Sequence, residues 1–181
     1  MNKTRIRQGI VLAISIYVLA VQMPSCKINP GTKITDIGMS EKEQPQKIPV
    51  TLVKHIDGDT TWFRISNTNE KVRYLAIDTQ ETVHPSKRTT QMGKMASKYV
   101  KDALTKATKI ELEYDPNSEY RDKYGRVLAW IWIDDQLLQL QLVKNGFATV
   151  KYIYGDYQYL EELYVAQEEA KLNQLGIWHK T

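Results

Sequence analysis

Three strand-like runs follow one another with only turns between them, at residues 50–56, 60–65 and 71–77. The separators are Asp57-Gly58-Asp59 and Ser66-Asn67-Thr68-Asn69, both built from turn-forming residues. Parallel neighbours need a crossover of a dozen residues or more, so strands joined this tightly must pair antiparallel. Helical spacing comes only afterwards. Met92, Met95, Ala96, Tyr99, Val100, Ala103 and Leu104 predict an amphipathic helix over 91–106. Two further strands are expected at 109–114 and 127–133, joined by the charged loop 115–126. Leu138, Leu140 and Leu142 alternate like a strand, while Leu138 and Leu142 also stack at i, i+4; the stop signal Asn145-Gly146 favours a short helix over 137–143. A last helix over 157–173 is expected to bury Leu160, Leu163, Tyr164 and Ala170. The order βββαββαα, without a βαβ repeat, predicts an α+β, mainly β domain: a small antiparallel or mixed barrel carrying helices.

Composition limits what surrounds this domain. A chain of 181 residues that is 42% hydrophobic and 25% charged supports one globular domain and a tail. Its single cysteine, Cys26, excludes an internal disulfide and a cysteine-based structural zinc site. The net charge of +4 is concentrated at the start, where Lys3, Arg5 and Arg7 precede any acid; Asp36 is the first. Residues 9–21 are then uncharged and mostly apolar. As a helix they would span about 20 Å at 1.5 Å per residue, short of the roughly 30 Å hydrocarbon core. Residues 1–25 therefore read as an export signal. Cys26, directly after Met23-Pro24-Ser25, is a lipidation candidate of the lipoprotein type; a plain secretory signal with an incidental cysteine and a retained anchor are the alternatives. Pro30, Gly31, Gly38, Pro45 and Pro49 punctuate a stretch without periodicity, so 26–49 is expected to be a flexible tether and 50–181 the folded domain.

The residues able to do chemistry gather at strand ends. Asp57 and Asp59 flank a glycine, and Asp78 and Glu81 sit at another strand exit. Taken singly these are turn residues. Together they can supply the oxygen ligands a hard cation such as Ca²⁺ takes, if the barrel joins the two ends. Arg73 lies within the third strand and needs either a structural acid or an anionic ligand. Arg121, Lys123 and Arg126 crowd one loop, and guanidinium groups hold phosphate bidentately. Tyr152 and Tyr154 alternate, which puts two phenols on one face, suited to base stacking or simply to core or rim. The three histidines, His55, His84 and His179, lack metal-ligand spacing.

In this order and spacing the set resembles the thermonuclease family, the staphylococcal-nuclease-like proteins, from about residue 50 to 178. The resemblance is carried by Ile56-Asp57-Gly58-Asp59-Thr60, Arg73, Asp78-Thr79-x-Glu81-Thr82, His84-Pro85, Asp122-Lys123-Tyr124-Gly125-Arg126, Tyr152-x-Tyr154 and Leu175-Gly176-Ile177-Trp178. It implies an OB-fold, a five-stranded barrel with three helices, and makes 137–143 helical. It also implies a calcium-dependent endonuclease acting on single-stranded or locally open DNA and RNA, leaving 3′-phosphate ends. Asp59, Asp78 and the Thr79 carbonyl would ligate Ca²⁺, with Asp57 behind them. Arg73 and Arg126 would grip the phosphate and Glu81 would organise the attacking water. Lys123, Tyr124, Tyr152 and Tyr154 would contact the nucleotide. The family's usual proline between threonine and glutamate is replaced by Gln80, which is expected to loosen Glu81. A monomer, exported and anchored through lipid at Cys26 or else secreted, completes the expectation. A non-catalytic OB module binding single-stranded nucleic acid or a protein is the alternative.

Overall fold

The computed structural model describes residues 46–80 and 91–179. The export signal, Cys26, most of the expected tether, Glu81, Thr82 and His84-Pro85 lie outside them. The described residues belong to one compact unit.

The expected meander is present. Strands β1 (Lys47–His55), β2 (Thr60–Ile65) and β3 (Thr68–Tyr74) pair antiparallel in succession. β1 starts at Lys47, inside the stretch read as tether, because Lys47, Ile48 and Pro49 pair with Glu113, Leu112 and Glu111. The second turn is shorter than its four polar residues suggest. Ile65 already pairs with Thr68, and Ser66 takes a left-handed φ of 54° to close the two-residue loop.

The run 71–77 is not one strand. β3 ends at Tyr74, Ala76 turns the chain with a φ of 60°, and Ile77–Thr79 forms a separate strand, β4. Helix α1 (Gln91–Lys106) has the expected bounds and buries Gly93, Ala96, Val100 and Leu104. Met95, counted with its apolar stripe, is exposed. β5 (Ile110–Glu113) and β6 (Val127–Ile133) pair antiparallel. β6 then runs parallel to β3, and β5 antiparallel to β1. The circuit β1-β2-β3-β6-β5 closes a five-stranded barrel of the OB type.

A two-residue strand, β7 (Gln136–Leu137), leads into α2 (Leu138–Lys144). β8 (Ala148–Val150) pairs antiparallel with β4 outside the barrel, and α3 spans Leu160–Leu172. Helix α3 buries Leu163, Ala166, Gln167 and Ala170, whereas Tyr164 faces outward, contrary to expectation. The three helices carry the expected α+β, mainly β character. The core joins barrel residues Phe63, Val72, Leu112 and Trp130 to Leu142 of α2 and Leu163 of α3. Among the described residues no helix is long and apolar enough to cross a membrane.

Candidate active site

The turn from β1 to β2 is held against β4 by a glycine and two threonines. A Cβ on Gly58 would lie 2.7 Å from the Thr79 hydroxyl, so only glycine permits this approach. Asp59, buried by that contact, has both carboxylate oxygens engaged. One accepts the Thr60 hydroxyl at 3.0 Å and pairs with Arg73 Nε at 3.2 Å. The other accepts the Thr79 amide and hydroxyl, both at 3.0 Å. Asp57 accepts the Asp59 amide at 3.1 Å. Burial, and then the negative charge of Asp59, push the Asp57 carboxyl up to about 6, against hydrogen bonds from the Asp59 and Thr60 amides and the charge of Arg73.

Arg73 is fixed by backbone as well as by charge. Its terminal nitrogens donate to the Tyr74 carbonyl at 2.7 Å and the Ile77 carbonyl at 2.8 Å. These acceptors lie on either side of the Ala76 turn that splits the third strand, so that turn shapes the guanidinium's seat. Asp78 approaches Arg73 at 3.6 Å with one oxygen and takes Lys151 at 2.7 Å with the other. The Tyr152 ring centroid lies 5.6 Å from the Arg73 guanidinium and 4.9 Å from Lys151. Tyr152 itself has a φ of 58°, a conformation costly for a bulky residue and found chiefly where the surroundings impose it.

Loop 115–126 carries the second group. Gly125 takes a φ of 75°, and its amide donates to the Asp122 carbonyl at 2.9 Å. The Asp122 carboxylate accepts the Tyr124 amide at 2.9 Å, the Arg126 amide at 3.0 Å and Arg126 Nε at 2.6 Å. Burial works against the ionised Asp122, but these hydrogen bonds and the Arg126 charge outweigh it and hold the carboxyl below its usual value. Tyr124 is exposed, with Lys123 and Arg126 both over its ring. Arg126 comes two residues before Leu128, the register partner of Arg73, so neighbouring strands bring both arginines to one region. Asn117 donates to the Asp156 carbonyl at 2.6 Å, tying the segment that bears Tyr152 and the exposed Tyr154 to the start of the loop.

The structure thus joins Asp57, Asp59, Arg73, Asp78, Thr79 and Tyr152 in one contact network, and gathers Lys123, Tyr124 and Arg126 in a second. Arg121 is committed to structure: it clasps Glu70 bidentately at 2.8 and 2.9 Å and donates to the Gly125 carbonyl at 2.8 Å. Among the described residues no group of three or more His, Cys, Asp or Glu side chains is arranged to hold a metal. The sequence reading missed Lys151, the hydroxyls of Thr60 and Thr79, and the shaping role of Asp122. Lys151 becomes visible only through the β4–β8 pairing, whereas the Asx-turn chemistry of Asp122-Lys123-Tyr124 was a local signal.

The family model for staphylococcal nuclease homologues matches residues 71–180. Endonuclease YncB of Bacillus subtilis (strain 168) is 38% identical over 141 residues, covering 77% of this chain and 66% of that protein. The chain therefore spans just under two thirds of that relative. Thermonuclease of Staphylococcus intermedius is 40% identical over 130 residues, with 71% and 76% covered. Thermonuclease of Staphylococcus hyicus is 31% identical over 176 residues, with 96% and 98% covered. With the five-stranded barrel, these matches show that the chain belongs to the family of staphylococcal nuclease homologues.

Proposed function

We propose that the protein is a nuclease: a calcium-dependent endonuclease that hydrolyses DNA and RNA with little sequence preference. The observation that carries this reading is the buried Arg73, held between Asp59 and Asp78 beside the Tyr152 ring. A positive fork flanked by carboxylates and an aromatic face suits a phosphodiester with its attached base. The relatives named above as endonuclease and thermonucleases support it.

The donor set fits a hard cation. Asp59, Asp78 and the Thr79 carbonyl offer oxygen only, without thiolate or imidazole, which suits Ca²⁺. Crowding of Asp57 against Asp59 adds negative charge that a cation would offset. Bound there, the ion would supply positive charge to a phosphate oxygen. Arg73 and Arg126 stabilise the charge that builds on the equatorial oxygens, without reorganising. Glu81 holds the attacking water and accepts its proton. The water oxygen bonds to phosphorus, the bond to the 5′ oxygen breaks and that oxygen takes a proton from solvent, so that a 3′-phosphate and a 5′-hydroxyl remain. Lys123, Tyr124, Tyr152 and Tyr154 grip phosphate, sugar and base face without reading base edges. Export with a lipid anchor at Cys26, or else plain secretion, belongs to the same proposal and rests on the leader's sequence; a monomeric state rests on the family resemblance.

The test incubates the protein with single-stranded DNA in Ca²⁺ or in chelator, beside Arg73→Ala and Glu81→Ser. Cutting to 3′-phosphate ends that needs Ca²⁺ and falls at least 10²-fold in each variant is expected. Binding without cutting under every condition would replace the enzyme by the non-catalytic OB module.

A further inference from the structure

Beyond the residues assigned above, one cation enters the acidic cluster from outside the barrel. Lys151 follows β8, and its amide continues the β4–β8 ladder by donating to the Ala76 carbonyl at 2.9 Å. Asp78 pairs with Thr149 in that ladder, so Lys151 is its diagonal neighbour on the same face, within reach of a long side chain. Opposite Lys151 in this ladder stands Ala76. The ammonium crosses the diagonal to reach Asp78 Oδ2 at 2.7 Å.

The two carboxylates differ in what they have left to give. Asp59 is buried and has a donor set on each oxygen. Asp78 is the more open, and each of its oxygens faces a cation, Arg73 on one side and Lys151 on the other. Those cations are not equally mobile. Arg73 is buried and pinned by two backbone carbonyls. The Lys151 side chain is 51% exposed on a flexible stem, so swinging it into water costs little.

We propose that Lys151 is the resident counter-cation of Asp78, a positioning residue that a divalent ion displaces before Asp78 can ligate it. This rests on the metal-assisted reading above. Lys151 keeps Asp78 compensated and oriented while no metal is bound, and it weakens metal affinity by competing for the same oxygen. It raises the cation concentration at which the site fills.

Calorimetric titration of the full chain with Ca²⁺ tests this beside Lys151→Met and Lys151→Arg. Lys151→Met is expected to bind Ca²⁺ about two- to fivefold more tightly, the range of an exposed ion pair. Lys151→Arg keeps the charge and is expected to stay near the parent affinity. In chelator Lys151→Met is expected to melt below the parent, with the gap closing as Ca²⁺ is added. Unchanged or weaker binding by Lys151→Met would overturn the proposal while leaving the nuclease reading intact, as would tightening by Lys151→Arg equal to that of Lys151→Met. Absence of Ca²⁺ binding by the parent, together with absence of cutting, would overturn the metal-assisted reading and this proposal with it.

Discussion

Asp57 carries the least compensated charge of the acidic cluster, and its cost can be measured. Its carboxyl is pushed up to about 6, from an ordinary value of 3.8. A carboxyl raised in the folded state contributes stability that is full below its unfolded value and is lost as pH rises through about 6. Near neutral pH the ionised group therefore burdens the fold by about 1–3 kcal/mol, at roughly 1.4 kcal/mol per pH unit. Asp57→Asn removes the charge and keeps an oxygen to accept the Asp59 amide. Urea unfolding in chelator is expected to show the variant more stable by that amount near about pH 7.5 and equal to the parent near about pH 4. An equal gap at both pH values would mean that packing, not charge, separates the proteins. The same cluster shows how far residues could be read from sequence. Arg73 stood out because a charge within a strand needs a partner, and Asp59 and Asp78 because carboxylates at two strand ends can together serve a hard cation. Lys151 did not, since a lysine beside two tyrosines carries no signal until the fold sets it diagonal to Asp78.

Elements announced themselves in proportion to their length and regularity. Helix α1 and strand β6 have the bounds their periodicity predicts. The run 71–77 failed because its apolar residues continue past Tyr74, while the turn at Ala76 depends on a backbone conformation that alanine rarely adopts. β4 and β8, three residues each, exist only through each other. The contact of α1 with β1 was equally hidden: His55 Nε2 meets Ser97 Oγ at 2.9 Å, and His55 Nδ1 is buried without a partner. Burial first, and then the Lys101 charge, hold this imidazole below its usual value of 6.5. The folded protein thus binds the proton less readily than the unfolded chain. Stability present above about pH 6.5 is lost as pH falls through the lower folded value. His55→Gln keeps a hydrogen-bonding group at Ser97 but does not titrate. Its melting temperature is expected to fall less than the parent's between about pH 7 and 5, with Asp57 common to both. Parallel curves would remove His55 as the cause.

At the scale of the whole molecule, barrel and helices are fastened together by polar contacts that no pattern in the chain foretold. Glu113 of β5, fully buried, accepts Trp132 Nε1 at 2.6 Å from β6 and the Tyr159 hydroxyl at 2.8 Å from the entry to α3. Asp115 likewise accepts Trp130 Nε1 and the Gln158 amide. Local reading places such acids on a strand and in a loop; only their distant hydrogen-bond partners explain why they can be buried. The closing Leu175-Gly176-Ile177-Trp178 is a second fastening. The Ile177 amide donates to the Gly146 carbonyl at 2.9 Å, just past α2, and the two glycine backbones lie against each other. Gly176 has a φ of 52°, and a Cβ there would overlap the Gly146 carbonyl. Gly176→Ala must therefore force the C-terminal segment away from α2 and strain its own backbone. The expected loss is on the order of 2–4 kcal/mol, from overpacking plus the left-handed penalty. Because Glu113 and Asp115 tie the entry of α3 to the barrel, and α2 and α3 share its hydrophobic core, the loss should lower the stability of both. Tryptophan fluorescence, to which the fully buried Trp130 contributes, and helical circular dichroism should shift to lower denaturant together in one transition. If the helical signal alone shifted, the barrel would be stable without its helices, and the buried carboxylates would not be what unites the fold.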